Sequence, residues 1–106
     1  MIFVRALNEA LHRVMSEDER VVILGEDIAD PYGGAFKVSR GLTTAFPDRV
    51  QTTPVSEQAI AGLSAGLALG GYRPIAEVMF GDFLSLCFDQ ILNHITKYNA
   101  MYAGAR

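Results

Sequence analysis

Residues 50–80 read VQTTPVSEQAIAGLSAGLALGGYRPIAEVMF, and this stretch decides the fold. Residues 50–53 form a weak strand that Pro54 ends, because proline has no amide proton to give to a ladder. Ser56 then offers its hydroxyl as N-cap for a helix running to about Leu69, which Gly70 and Gly71 stop. Residues 74–80 read as the next strand. The helix between them carries Ala59, Ala61, Gly62, Ser64, Ala65, Gly66 and Ala68, which leave little side chain on much of its surface. Glycine costs a helix about 1 kcal/mol relative to alanine, so the composition predicts a close neighbour along that face.

Outward from this unit, residues 3–15 place Phe3, Leu7, Leu11, Val14 and Met15 at three- and four-residue intervals, the spacing of an amphipathic helix. His12 falls on its charged side and reads as a solvated histidine. Val21, Val22, Ile23 and Leu24 form a continuous apolar run ending at Gly25, the pattern of a strand covered on both faces. Residues 26–40, with Asp30, Pro31, Gly33 and Gly34, have no period and read as a loop, with a short helix following near 41–46. Leu84, Cys87, Phe88, Ile91, Ile95 and Tyr98 mark a final helix facing a core. The order indicates an α/β three-layer sandwich with a mostly parallel sheet. Three strands shelter a parallel sheet poorly, which suggests a truncated domain.

The composition narrows the partners. A chain of 106 residues, half hydrophobic and one-fifth charged, suits one packed domain. Its formal net charge of -3 and scattered cations offer no basic stripe for a phosphate backbone, so nucleic acid is not an expected partner. The apolar runs are short and interrupted by charge, which argues against a membrane. The single Cys87 cannot form an internal disulfide and reads as a small buried hydrophobe, fitting a cytoplasmic setting. His94 reads as structural.

Ligands of open α/β sheets gather beyond the carboxyl ends of the strands, and those ends supply Glu26 and Asp27, then Glu57, then Phe80, Asp82 and Phe83. By spacing alone, Glu57 simply complements the helix dipole from the first turn. No phosphate-loop lysine, dinucleotide glycine pattern or metal-ligand spacing of His and Cys is present. Ser56 has no histidine nearby in sequence to act as its base.

The ordered series is more specific than any piece. It comprises Leu24-Gly25-Glu26-Asp27, Gly33-Gly34-Ala35-Phe36-Lys37-Val38, Gly41-Leu42, Phe46-Pro47-Asp48-Arg49-Val50 and Thr53-Pro54-Val55-Ser56-Glu57. Ile60-Ala61-Gly62, Gly66-Leu67-Ala68, Gly71-Tyr72-Arg73-Pro74-Ile75-Ala76-Glu77, Asp89-Gln90-Ile91 and Asn93-His94 follow. In order and spacing it resembles the β subunit of the E1 component of 2-oxo acid dehydrogenases, over nearly the whole chain.

The resemblance implies that residues 1–106 are part of a transketolase-like pyrimidine-binding domain, which holds the aminopyrimidine of thiamine diphosphate. It implies that Glu57 bonds a ring nitrogen and promotes the imino form that deprotonates the thiazolium carbon, for oxidative decarboxylation of a 2-oxo acid and acyl transfer to lipoyl. By the same matching Phe83 stacks on the pyrimidine, and Val55 and Met79 form apolar pocket wall. Phe80 is core or wall, Glu26 either joins a polar network near the ring or is an exposed loop acid, and Gln90 is a helix or interface residue.

The Gly-Asp-Gly segment with a downstream Asn, by which such enzymes hold magnesium and the diphosphate, is not found here. The resemblance therefore assigns magnesium to an E1 α-like partner subunit, with a second β-like subunit and the lipoyl domain of E2 as further partners and the chain alone inactive. A transketolase or deoxyxylulose-phosphate synthase relative would use the same domain and glutamate, though the match over 33–50 favours E1. A non-catalytic interaction module would retain the fold without a diphosphate partner. An α-like gene with a magnesium motif beside this one would separate enzyme from module. The isolated chain is expected to self-associate or to be marginally stable, since an unfinished sheet leaves an edge and apolar helix faces uncovered. Sedimentation that reports a monodisperse, highly stable monomer would count against that reading.

Overall fold

The computed structural model describes residues 2–102 and 104. Its elements are α1 (Ile2–Glu17), β1 (Val21–Glu26), α2 (Leu42–Ala45), β2 (Val50–Thr53), α3 (Glu57–Leu69) and β3 (Arg73–Glu77). A 3-10 helix (Gly81–Cys87), a π-helical stretch (Gln90–Ile95) and α4 (Tyr98–Met101) follow. The three strands form one parallel sheet in the order β2-β1-β3. This is the expected α/β architecture with a mostly parallel sheet, and the described strands are all parallel.

The apolar run at 21–24 becomes the central strand, and all six positions of β1 are buried. On one face, Val21 and Ile23 meet Met15 of α1, Ile28, Leu42 of α2 and Val50 of β2, with Leu11, Val14, Phe46 and Ile75 packed around them. On the other face, Val22 and Leu24 look toward Leu63 and Leu67 of α3 across a cleft of about 360 Å³. The helices thus lie on opposite sides of the sheet, the arrangement that parallel crossovers impose. Ser56 caps α3 as expected, its Oγ accepting from the Ala59 amide at 3.4 Å.

Four expectations are corrected. The apolar stripe of α1 is covered only in its second half: Phe3 is 74% exposed, whereas Met15 is fully buried. His12 is half-buried, with its ring against Phe46 and its Nε2 3.4 Å from the Arg40 carbonyl oxygen, so it is not a solvated histidine. Close approach to α3 occurs at Gly62, where an added Cβ would lie 3.1 Å from Gln90 Oε1; Gly66 has nothing within 4 Å. Around Gly66 an open cleft of about 490 Å³ separates α3 from residues 90–102.

The last correction concerns the end of the chain. Residues 81–101 are broken into 3-10, π and α pieces, and of the six apolar positions expected to face a core only Cys87 is buried. Leu84, Phe88, Ile91 and Ile95 are exposed. The physical reason is the partner available: this segment packs on α3, whose facing side is glycine and alanine, so one small thiol fits between them and larger groups turn outward.

Arg49 locks the strand entrances to α1. Its guanidinium donates to the Met15 carbonyl at 2.8 Å, the Asp18 carbonyl at 3.0 Å and the Val21 carbonyl at 3.3 Å, and it lies 4.7 Å over the Phe46 ring. It thereby satisfies carbonyls that the end of α1 and the turn into β1 leave open. Arg49→Met should keep the apolar stem and lose these bonds, lowering unfolding free energy by about 2 kcal/mol in urea titration. A midpoint shift worth under about 0.5 kcal/mol would show the guanidinium to be dispensable.

Candidate functional site

The carboxyl ends of the strands bring three glutamates to one edge of the sheet. Glu26 closes β1 and is paired in register with Thr53 at the end of β2, while Gly25 is paired with Glu77 at the end of β3. Glu57 stands in the first turn of α3, where the chain must turn sharply after Pro54 and where Ser56 begins the helix. Glu57 is 9% exposed and Glu26 7%. The Glu26 carboxyl faces the Ser56 backbone amide and lies close to the Glu57 carboxyl. Glu26 is thus a buried strand end and not an exposed loop acid. Thr53 Oγ1 is buried beside it with no hydrogen-bond partner among the described residues.

The other expected site residues are placed less uniformly. Phe83 lies in the 3-10 helix at 37% exposure, Met79 is half-buried in the bend after β3, and Val55 is 81% exposed in the loop before α3. Phe80 is 42% exposed, so it is not core. Glu57 and Phe83 are tied together by a residue whose connecting role the sequence does not announce. The Cys87 thiol lies 3.4 Å from the Glu57 carbonyl oxygen and 3.9 Å from that of Phe83, and its single proton can be given to either, the nearer being that of Glu57. Burial, and then the Glu57 charge, push this thiol's pKa up, so it is a poor nucleophile and a good spacer. Val55, by contrast, projects toward solvent.

Phe36 is the second residue that sequence reading misses. It comes from the aperiodic loop 27–41, and its ring meets Phe80 at 5.5 Å with an interplanar angle of 81°. Phe80 in turn meets Phe83 at 5.6 Å and 83°. The signal was the neighbouring Gly33, whose φ of +69° and 2.7 Å spacing from a would-be Cβ to Arg40 Cα admit glycine alone. A loop folded so tightly sends its next side chains back toward the sheet edge. His94 is 57% exposed and stands 4.0 Å from Asp89, lining the cleft beside α3. Among the described residues, no group of three or more His, Cys, Asp or Glu is placed to hold a metal ion, and no helix is long and apolar enough to cross a membrane.

The family model of the transketolase pyrimidine-binding domain matches residues 2–104. The acetoin:2,6-dichlorophenolindophenol oxidoreductase subunit beta of Cupriavidus necator is 44% identical over 108 residues, covering 93% of this chain and 32% of that protein. The 3-methyl-2-oxobutanoate dehydrogenase subunit beta of Mycobacterium tuberculosis is 43% identical over 105 residues, covering 98% and 30%. The pyruvate dehydrogenase E1 component subunit beta of Leifsonia xyli subsp. xyli is 43% identical over 103 residues, covering 96% and 30%. The chain spans about a third of the length of these relatives.

The paired carboxyls have an electrostatic consequence. Burial first, and then the charges of Glu57 and Asp27, raise the Glu26 pKa above its ordinary 4.5. An acid whose folded pKa is raised holds its proton more tightly when folded, so stability falls as pH rises from the unfolded value through the folded one. Glu26→Gln keeps the acceptor for Ser56 and removes that penalty. The variant should therefore melt above the parent at pH 7, and the difference should close as pH is lowered to about 3, where both states of the parent are protonated. Equal melting temperatures across this range would mean that Glu26 is not desolvated against Glu57.

Proposed function

This chain belongs to the transketolase pyrimidine-binding domain family, and on that premise we propose that it binds the aminopyrimidine of thiamine diphosphate within the E1 component of a 2-oxo acid dehydrogenase. The observation that carries the reading is the Glu57 carboxyl, buried at the strand ends beside Glu26. The surrounding residues support the fit: a carboxyl able to bond a ring nitrogen, an unpartnered Thr53 hydroxyl, and the partly exposed Phe83 ring for a flat heterocycle. Val55 and Met79 complete the apolar wall, with Val55 gaining its burial when the partner closes over the edge.

When bound, the cofactor supplies the electron sink for cleaving a bond beside a carbonyl. With the cofactor bound, Glu57 Oε would exchange a proton with the ring nitrogen and so fix the tautomer, and Phe83 would set the ring plane. The relatives named as beta subunits support a heterotetramer in which an E1 α-like subunit supplies magnesium and the diphosphate grip. A second β-like subunit and the lipoyl domain of E2 complete the proposed assembly, in the cytoplasm. The substrate class is a 2-oxo acid or acetoin.

Glu57→Gln in the assembled complex should slow hydrogen–deuterium exchange at the thiazolium carbon by roughly 100-fold or more while sedimentation and cofactor affinity stay near the parent's. Glutamine retains size and one hydrogen bond but cannot exchange a proton. Exchange at the parental rate would return Glu57 to a capping role.

A further inference from the structure

Three phenylalanines from two segments meet edge to face: Phe36 from loop 27–41, and Phe80 and Phe83 from the N-cap and first turn of the 3-10 helix, at 5.5 and 5.6 Å between ring centres. They are 48%, 42% and 37% exposed, so burial of apolar area does not account for their alignment. Each successive pair is nearly perpendicular, at 81° and 83°, the arrangement in which a ring's positive edge meets its neighbour's negative face. Fixing one ring plane in such a series constrains the next.

The first ring of the series is itself held. Gly33 brings the loop back against Arg40, and the buried Ser39 hydroxyl donates to the Ile28 carbonyl at 2.9 Å. Asn8 of α1 donates to the Val38 carbonyl at 2.7 Å and the Arg40 carbonyl at 2.9 Å. Lys37 Nζ donates to the Tyr32 carbonyl at 2.7 Å. The backbone of the last ring is flanked from the other side by the buried Cys87, whose thiol lies 3.4 Å from the Glu57 carbonyl oxygen and 3.9 Å from that of Phe83. A loop braced by α1 and by its own hydrogen bonds thus presents an aromatic side chain to Phe80, the ring next to the aromatic that the proposed site uses.

The geometry points to Phe36 and Phe80 as positioning residues that fix the plane of the Phe83 ring against the cofactor's aminopyrimidine. This assignment rests on the reading of Phe83 as the stacking residue. Phe36 acts through Phe80 and Phe83, without touching the ring it orients. An exposed edge-to-face pair is worth enough to change a binding constant by about 3- to 10-fold.

The test is calorimetric titration of the protein, in complex with its E1 α-like partner, with thiamine diphosphate and magnesium. Phe83→Ala should weaken binding about 10-fold or more, and Phe36→Ala and Phe80→Ala about 3- to 10-fold, with Phe36→Tyr restoring parental affinity because the ring edge returns. In a double-mutant cycle, Phe36→Ala should have no further effect once Phe83 is alanine. Parental affinity in Phe36→Ala alongside a weakened Phe83→Ala overturns the positioning role and leaves the stacking reading intact. Parental affinity in Phe83→Ala overturns the stacking reading first. An undiminished effect of Phe36→Ala in the Phe83→Ala background also overturns the inference, since it shows action by another route.

Discussion

A parallel strand has no way to satisfy its backbone alone, and β1 has neighbours on both sides and helices on both faces, with six consecutive residues withdrawn from water. The remaining elements are arranged around that requirement. Val21 and Ile23 demand a cover, which Met15 and Leu42 provide, and this fixes α1 and α2 on one face. Val22 and Leu24 demand another, which draws α3 across the second face between β2 and β3. Because burial scales with apolar area, these few branched side chains hold more of the stability than the surface ion pairs, such as that of Asp18 and Arg20.

The same burial carries a polar passenger. Glu26 is the last residue of β1 and shares the strand's exclusion from water, so its carboxyl meets that of Glu57 in surroundings that disfavour charge. A core arranged for stability alone would place an apolar residue there. Strain of this kind is found where a structure serves chemistry, and here it coincides with the orphaned Thr53 hydroxyl one strand away. The two observations concern different atoms on different elements and point to the same edge.

Much of this was legible from local rules. The run of four apolar residues at 21–24 specified a buried strand, Pro54 specified where β2 stops, and Ser56 specified where α3 begins, because each effect acts within a few residues. What was not legible depends on neighbours distant in sequence. The periodicity of 84–98 is helical, but the surface it packs on is the smooth side of α3, and periodicity carries no information about the partner. Phe36 occupies a loop without any pattern, and its ring reaches the site only because Gly33 folds the chain and Asn8 holds it, at separations that no local window spans. Glu57 was visible as an acid at a helix start; that it would be buried beside a second acid required the register of β1 against β2.

The strand order β2-β1-β3 determines where a ligand can enter, before any side chain is chosen. The chain leaving β1 turns toward the face of α1 and α2, whereas the chains leaving β2 and β3 turn toward the face of α3 and the segment beyond it. Connections that diverge in this way make a switch point at the carboxyl ends of β1 and its neighbours, the place where open α/β sheets take their ligands. The walls of such a place belong to separate loops, which can change independently while the sheet beneath stays the same. A frame of this kind fixes the position of the chemistry and leaves its selectivity to parts that contribute little to folding.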